Sequence, residues 1–285
     1  MLSADVYVKH ENHLPTGAFK IRGGINLTSK LSDNERRRGV ITASTGNHGQ
    51  SIAFASRLFG VRAIVVMPKD SNPLKVEATK NLGAQVIFYG KDFDESREFV
   101  EDLAKKRNYR YIHSANEPLL IAGVATHTLE ILEDLPDPNA IIVPVGGGTG
   151  AAGACIVAKS INPKIKVIGV QSEKAPAAFK SWKEGKLVSA KSETFAEGLA
   201  TRVGFELTQR ILRSLLDDFV LVSEQEIRNA MISMIEKTHN LAEGAGASPL
   251  AAAKRIRNKL RGKKVVLILS GANTSLQHLR EALLH

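Results

Sequence analysis

Thiols are almost absent from this sequence, in which Cys155 is the one cysteine. No intramolecular disulfide and no thiolate metal cluster can be built from it, and its apolar helical surroundings make it a small buried hydrophobe. Long apolar runs are also missing. None approaches the roughly 18 residues of a membrane-spanning helix, and the N-terminus lacks the basic-then-apolar order of a secretion signal. These absences predict a protein of the reducing cytoplasm with no membrane partner. Aromatics are scarce too, at 5%. That scarcity bears on the net charge of +10, which on its own invites a nucleic-acid reading. The densest basic clusters, Arg36-Arg37-Arg38 and Lys259 to Lys264, carry no interleaved aromatics and fall at expected helix ends or turns. They read as solvated faces, and no nucleic-acid partner is expected.

What is present suits a globular chain with a large core: 285 residues, 43% of them hydrophobic and 24% charged. Strands are expected at 5–9, 40–43, 62–67, 84–89, 110–113, 140–145, 166–171, 219–222 and 264–269. Helices are expected at 20–31, 51–59, 74–82, 93–106, 119–134, 151–160, 176–184, 203–215, 224–239, 247–260 and 275–284. Strand and helix alternate, and the strands hold near-continuous Val/Ile runs, which marks an α/β protein with parallel sheets covered on both faces. In such sheets ligands bind beyond the C-terminal ends of the strands, and the unusual stretches of this sequence lie there.

The first of them is Thr16-Gly17-Ala18-Phe19-Lys20. Gly17 and Ala18 allow close approach, and Phe19 can cover the lysine. A lysine in a dry niche is more often the free amine that attacks carbonyls, although most lysines are simply solvated. Gly23 and Gly24 loosen the start of the following helix. The second stretch is Ser44-Thr45-Gly46-Asn47-His48, whose hydroxyls, N–H groups and Asn47 amide suit a carboxylate or a phenolic oxygen. His48 reads as a base or as a structurally bonded histidine. Third, Gly146-Gly147-Gly148-Thr149-Gly150 joins a buried strand to a helix N-terminus. That geometry fits a phosphate monoester or is merely a tight turn. It has neither the Lys-Ser/Thr ending of a nucleoside-triphosphate loop nor the dinucleotide spacing. Fourth, Ser270 opens the turn Ser270-Gly271-Ala272-Asn273, either to meet a ring nitrogen or to cap the last helix. An aldehyde, a phosphate and polar ring atoms together describe pyridoxal 5′-phosphate.

The segments KHENHLPTGAFKIRGG, STGNHGQSIA, VPVGGGTGAAG, ETFAEGLA and LSGANTS stand in the order and spacing of the pyridoxal-phosphate-dependent threonine dehydratases and serine racemases. Over essentially its whole length the sequence resembles that family, which has the two-domain, tryptophan-synthase-β-like fold (fold type II). The resemblance implies a large cofactor domain from residues 1–39 and 116–285, with a small mobile domain at 40–115. It implies that Lys20 forms the Schiff base and moves the Cα proton, beside Phe19. Asn47 would meet the ring hydroxyl, Gly146, Gly147, Gly148 and Thr149 the phosphate, and Ser270 the pyridine nitrogen. Ser44, Thr45, Gly46, Asn47 and His48 would take the substrate carboxylate. The implied activity is a cytoplasmic threonine dehydratase (threonine ammonia-lyase), removing water from L-threonine or L-serine, with a homodimer as its assembly.

Alternatives are a 3-hydroxyaspartate dehydratase or a serine racemase. The family's racemases carry serine where this chain has Thr45, which counts against racemisation. Glu173 and Ala177 match two positions of the family's divalent-metal site, but Phe179 stands at the third, so no metal is expected. Relative to the family, the chain begins some tens of residues late and ends without a regulatory domain. An inactive, N-terminally shortened homologue is therefore the non-enzyme alternative.

Overall fold

The computed structural model describes residues 2–284. In chain order, β1 (Asp5–His10) leads to helices α1 (Lys20–Ser29) and α2 (Asp33–Arg38). Four strand–helix steps follow: β2 (Val40–Ala43), α3 (Asn47–Leu58), β3 (Ala63–Met67), α4 (Pro73–Asn81), β4 (Gln85–Phe88), α5 (Phe93–Arg107), β5 (Arg110–Tyr111) and α6 (Pro118–Asp134). The next stretch holds β6 (Ala140–Pro144), α7 (Thr149–Ile161), β7 (Lys166–Ser172), α8 (Ala177–Glu184), a 3₁₀ turn (Glu197–Leu199) and α9 (Glu206–Leu215). The chain closes with β8 (Asp218–Val222), α10 (Glu224–Thr238), α11 (Gly244–Arg255), α12 (Arg257–Leu260), β9 (Lys264–Leu269) and α13 (Leu276–Leu284).

Every strand pairing is parallel, in two sheets ordered β1-β9-β6-β7-β8 and β4-β3-β2-β5. β2 and β3 are buried at every position, and β6 and β9 at all but one, as parallel strands covered on both faces must be. The α/β class with parallel sheets is therefore observed. Among the described residues, no helix is long and apolar enough to cross a membrane.

The chain divides into two compact units, one made of 1–13 with 125–285 and the other of 14–124. These limits differ from the expected 40–115, because α1 packs along α3 and so joins the unit of β2–β5. Close packing, against α6 for Gly23 and α3 for Gly24, accounts for both glycines in place of a loosened helix start. A Cβ at Gly24 would lie 2.3 Å from Ser51 Oγ, and one at Gly23 would lie 2.8 Å from the Leu120 carbonyl. They are points of close approach. Within this unit, Leu27, Val40, Ile52, Val65, Met67 and Ile112 form a core on one face of the sheet. Ile41, Ile64, Val66 and Val100 form another core under α5.

In the larger unit α11 crosses the sheet with Pro249 in its interior. Proline has no N–H for the carbonyl four residues back. The Ser248 hydroxyl donates to that carbonyl, on Ala245, at 2.8 Å. Cys155 is fully buried in α7, and burial pushes its thiol up to about 12. It is inert at neutral pH.

Candidate active site

In the smaller unit the site begins with a turn. Gly17 takes a positive φ of 65°, and its N–H bonds the Leu14 carbonyl at 2.7 Å. This delivers Phe19 to the N-cap of α1 and Lys20 to its first position. The Ser51 hydroxyl of α3 holds the Lys20 carbonyl at 2.6 Å. Lys20 Nζ lies 5.1 Å from the centre of the Phe19 ring. Burial lowers the Lys20 ammonium pKa from 10.5 to about 8, because a low-dielectric surrounding disfavours the charged form.

Ser44 follows β2, and α3 starts at Asn47, so Asn47 and His48 occupy its first turn rather than a loop before a helix at 51. The Ser44 hydroxyl oxygen accepts the Gly46 N–H at 3.0 Å and the Gly49 N–H at 2.8 Å. One serine thus serves two N–H groups that a helix start leaves without a partner. Thr45 and Asn47 are half-buried, whereas Gly46 and His48 are buried. The Lys75 side chain of α4 lies over Gly46, where a Cβ would be 2.4 Å from its Cδ.

His48 is structurally bonded. The Thr42 hydroxyl contacts both the Ile112 carbonyl, at 2.8 Å, and His48 Nε2, at 2.9 Å. A carbonyl can only accept, so the single hydroxyl hydrogen goes to Ile112 and His48 Nε2–H donates to Thr42. Burial, then the Lys20 charge and then His113, hold the His48 pKa well below the usual histidine range. His113 follows β5, the sheet neighbour of β2. Its Nδ1 accepts the N–H groups of Ala115 and Asn116, both at 3.0 Å, so its hydrogen is on Nε2. Burial, reinforced by Arg97, lowers its pKa to about 4. The neutral imidazole of His48, its tautomer fixed, therefore lies within electrostatic reach of the Lys20 amine, and His113 within reach of His48. His113 was not singled out in the sequence, since nothing local marks it.

In the larger unit, β6 and β9 are paired neighbours, so the loops that follow them leave one end of one sheet. Gly146, Gly147 and Gly148 follow β6, and Thr149 and Gly150 open α7. A Cβ at Gly146 would lie 2.1 Å from the Gly198 carbonyl. Gly148 has φ of +90°, and a Cβ there would be 3.0 Å from Thr208. The loop is thus a cradle that side chains would fill. It ends in the helix start of α7, which has no side-chain cap. Such N–H groups and the positive helix end favour an anion. The residues of this loop fit a phosphate, and Lys20 fits an aldehyde.

Ser270, after β9, is 4% exposed. The alternative reading of Ser270 as the cap of the last helix fails, because Ser275 Oγ accepts the His278 N–H at the start of α13. Glu243, missed from sequence, is 6% exposed and N-caps α11, with its N–H on the Gly271 carbonyl at 3.0 Å. Its Oε1 would lie 3.6 Å from a Cβ on Gly198. The Glu-Gly-Ala-Gly run at 243–246, another glycine-rich helix start, was the available signal.

The Glu173 carboxylate bonds Arg255 Nη1 at 2.6 Å, and Arg255 also binds Glu226. Among the described residues no three His, Cys, Asp or Glu side chains are grouped to hold a metal.

A family model described as pyridoxal-phosphate-dependent enzyme matches residues 1–271. An L-threonine ammonia-lyase of Thermotoga maritima is 43% identical over 272 residues, spanning 94% of this chain and 67% of that protein. Among solved structures, the processed form of threonine deaminase isoform 2 from Solanum lycopersicum superposes with a TM-score of 0.93. It is 36% identical, over 99% of this chain and 83% of that one. A serine racemase from Dictyostelium discoideum gives a TM-score of 0.88 at 35% identity, over 96% and 90% of the two chains.

Proposed function

The chain belongs to the family of pyridoxal-phosphate-dependent enzymes, and from that premise we propose that it is a threonine dehydratase. It removes water across Cα–Cβ of L-threonine, and of L-serine, and releases 2-oxobutyrate or pyruvate with ammonia. The water lost in elimination is regained when the released enamine hydrolyses. When bound, pyridoxal phosphate supplies an electron sink for negative charge at the substrate Cα.

The observation that carries the reading is Lys20, with its pKa at about 8. A lysine so shifted is about one-tenth free amine at pH 7, several hundredfold more than an ordinary one. Nζ would hold the cofactor's aldehyde carbon, and as a free amine it would accept the Cα proton. Phe19 keeps water from one side of that nitrogen. Gly146, Gly147, Gly148 and Thr149 hold the phosphate through backbone N–H groups. Asn47 meets the ring hydroxyl. Ser270 meets the ring nitrogen with a hydroxyl, which cannot keep that nitrogen protonated as a carboxylate would. A hydroxyl at Ser270 would therefore suit expulsion of a β-hydroxyl better than long-lived carbanion chemistry.

The turn Ser44 to His48 orients the substrate carboxylate. His48 acts there through its backbone and its place in α3, since its Nε2 is engaged by Thr42. The neutral imidazole of His48 adds no positive charge near Lys20, which keeps the amine's proton no harder to hold than burial alone makes it. The amino-acid substrate is the one partner the chemistry requires, and a second copy of the chain is the assembly the likeness suggests.

The test is an assay for 2-oxo acids with L-threonine, L-serine and 3-hydroxyaspartate, with and without added divalent metal, and with D-serine measured in parallel. 2-Oxobutyrate from L-threonine as the fastest reaction is expected. Preferential oxaloacetate or D-serine reassigns the substrate. No product from any of them, in protein loaded with the cofactor, overturns the reading.

A further inference from the structure

The glycine loop is held from behind by one hydroxyl. Thr208, in the first turn of α9, is 1% exposed. Its Oγ1 donates to the Gly147 carbonyl at 2.9 Å, across 61 residues of sequence. Its other acceptor is the Phe205 carbonyl at 3.2 Å, the bond to the preceding turn that a helical threonine makes by default. The hydroxyl has one hydrogen, and the shorter contact is to the loop.

The consequence lies in the peptide unit. The Gly147 carbonyl and the Gly148 N–H belong to one planar trans peptide and point in opposite directions. Fixing the oxygen toward α9 aims the Gly148 N–H away from α9. Gly148 cannot back away from this arrangement. Its φ is +90°, and the space where a Cβ would sit is bounded by Thr208 Cβ and Oγ1 at 3.0 Å and Leu212 Cδ1 at 3.6 Å. Water cannot replace the hydroxyl at so buried a position, and among the described residues Thr208 is the side chain seen to bond that carbonyl.

We propose that Thr208 is a positioning residue for the cofactor phosphate: by anchoring the Gly147 carbonyl it presents the Gly148 N–H to the phosphate oxygens. The proposal rests on the reading that this loop holds the phosphate. Thr208 touches neither phosphate nor substrate, and it acts through the peptide alone.

The test compares two aldehydes that differ only in the phosphate. Full-length protein stripped of cofactor is titrated with pyridoxal 5′-phosphate and with pyridoxal, followed by the visible absorption of the lysine-bound aldehyde. In Thr208→Val, affinity for the phosphorylated aldehyde falls roughly tenfold, as for loss of one aligned hydrogen bond to a charged group. Affinity for pyridoxal is unchanged, and Thr208→Ser restores the wild-type ratio. If Thr208→Val keeps the wild-type ratio, or Thr208→Ser is as weak as Thr208→Val, Thr208 is packing only and the proposal falls. Should Thr208→Val not fold by circular dichroism, Thr208→Cys, whose thiol is a weak donor, carries the same comparison with the same readings. A wild-type protein with no preference for the phosphorylated aldehyde overturns the loop assignment itself, and the role of Thr208 with it, before any variant is made.

Discussion

Two strand–helix turns in this molecule solve the same problem in different ways. After β6, Gly146 to Gly148 bring backbone to within side-chain distance of Gly198 and Thr208, and α7 starts without a side-chain cap. After β2, the turn carries side chains, and Ser44 accepts two of the N–H groups at the start of α3. The first turn has no side-chain cap and relies on the protein behind it for shape. The second satisfies part of its own backbone and offers what remains. A dianionic phosphate with three terminal oxygens suits the first, and a carboxylate with two suits the second. Charge follows the same division. The second turn is lined by histidines held neutral, whereas the shape of the first depends on a carbonyl and a hydroxyl that do not titrate.

The comparison has meaning only if both turns serve Lys20. Lys20→Ala is expected to abolish 2-oxo acid formation from L-threonine while the far-ultraviolet dichroism stays that of the wild type. Normal turnover in this variant would remove the premise.

Gly148→Ala attacks the glycine turn. A non-glycine residue at φ of +90° costs about 1–2 kcal/mol, and the new Cβ displaces Thr208. The purified variant is expected to lose most of its bound cofactor, measured by absorbance, together with a few degrees of melting temperature. Full cofactor retention would mean that the loop is only a connection.

Ser44→Ala attacks the other turn. Removing a hydroxyl that accepts two helix-start N–H groups costs about 1 kcal/mol. The variant should raise the KM for L-threonine several-fold and leave cofactor affinity unchanged. Equal losses in both would erase the distinction between the turns.

The smallest effect is expected from acid. His113 titrates near 4 when folded, against 6.5 ordinarily, and His48 is shifted the same way. The unfolded chain therefore takes up protons first as the pH falls. For His113 that stability is fully present above pH 6.5 and is lost toward pH 4, and His48 acts in the same sense. Urea midpoints at pH 7 and pH 5 should differ in that sense, and by less in His113→Asn. Identical midpoints at the two pH values would contradict it.

Local order was legible in the sequence. The strands at 40–43 and 264–269 have the expected ends, and most helices begin and end within a residue or two of expectation. The helix α2 was missed although its capping box, Ser32 with Glu35, was readable in the sequence. Its six residues carry no apolar periodicity, and the arginines at 36–38 were read as a solvated cluster. The helix expected at 247–260 starts three residues earlier, because Ser248 makes Pro249 tolerable inside α11, and it breaks at Ile256. Helix α3 likewise starts earlier than its apolar pattern, since Ser44 caps it from outside.

By itself the sequence determined the α/β alternation, the five motif segments and the residue types they bring to the chemistry. Those are properties of neighbours along the chain, encoded in spacing and in the backbone freedom of glycine. Only the tertiary structure decided that Gly24 faces Ser51, that His48 gives its hydrogen to Thr42 and that Glu173 pairs with Arg255. The same holds for Thr208 behind Gly147. Each of these is a contact between separate elements. A hydroxyl, carboxylate or imidazole looks the same in sequence whatever it meets, and which partner it meets is set when helices and sheets pack.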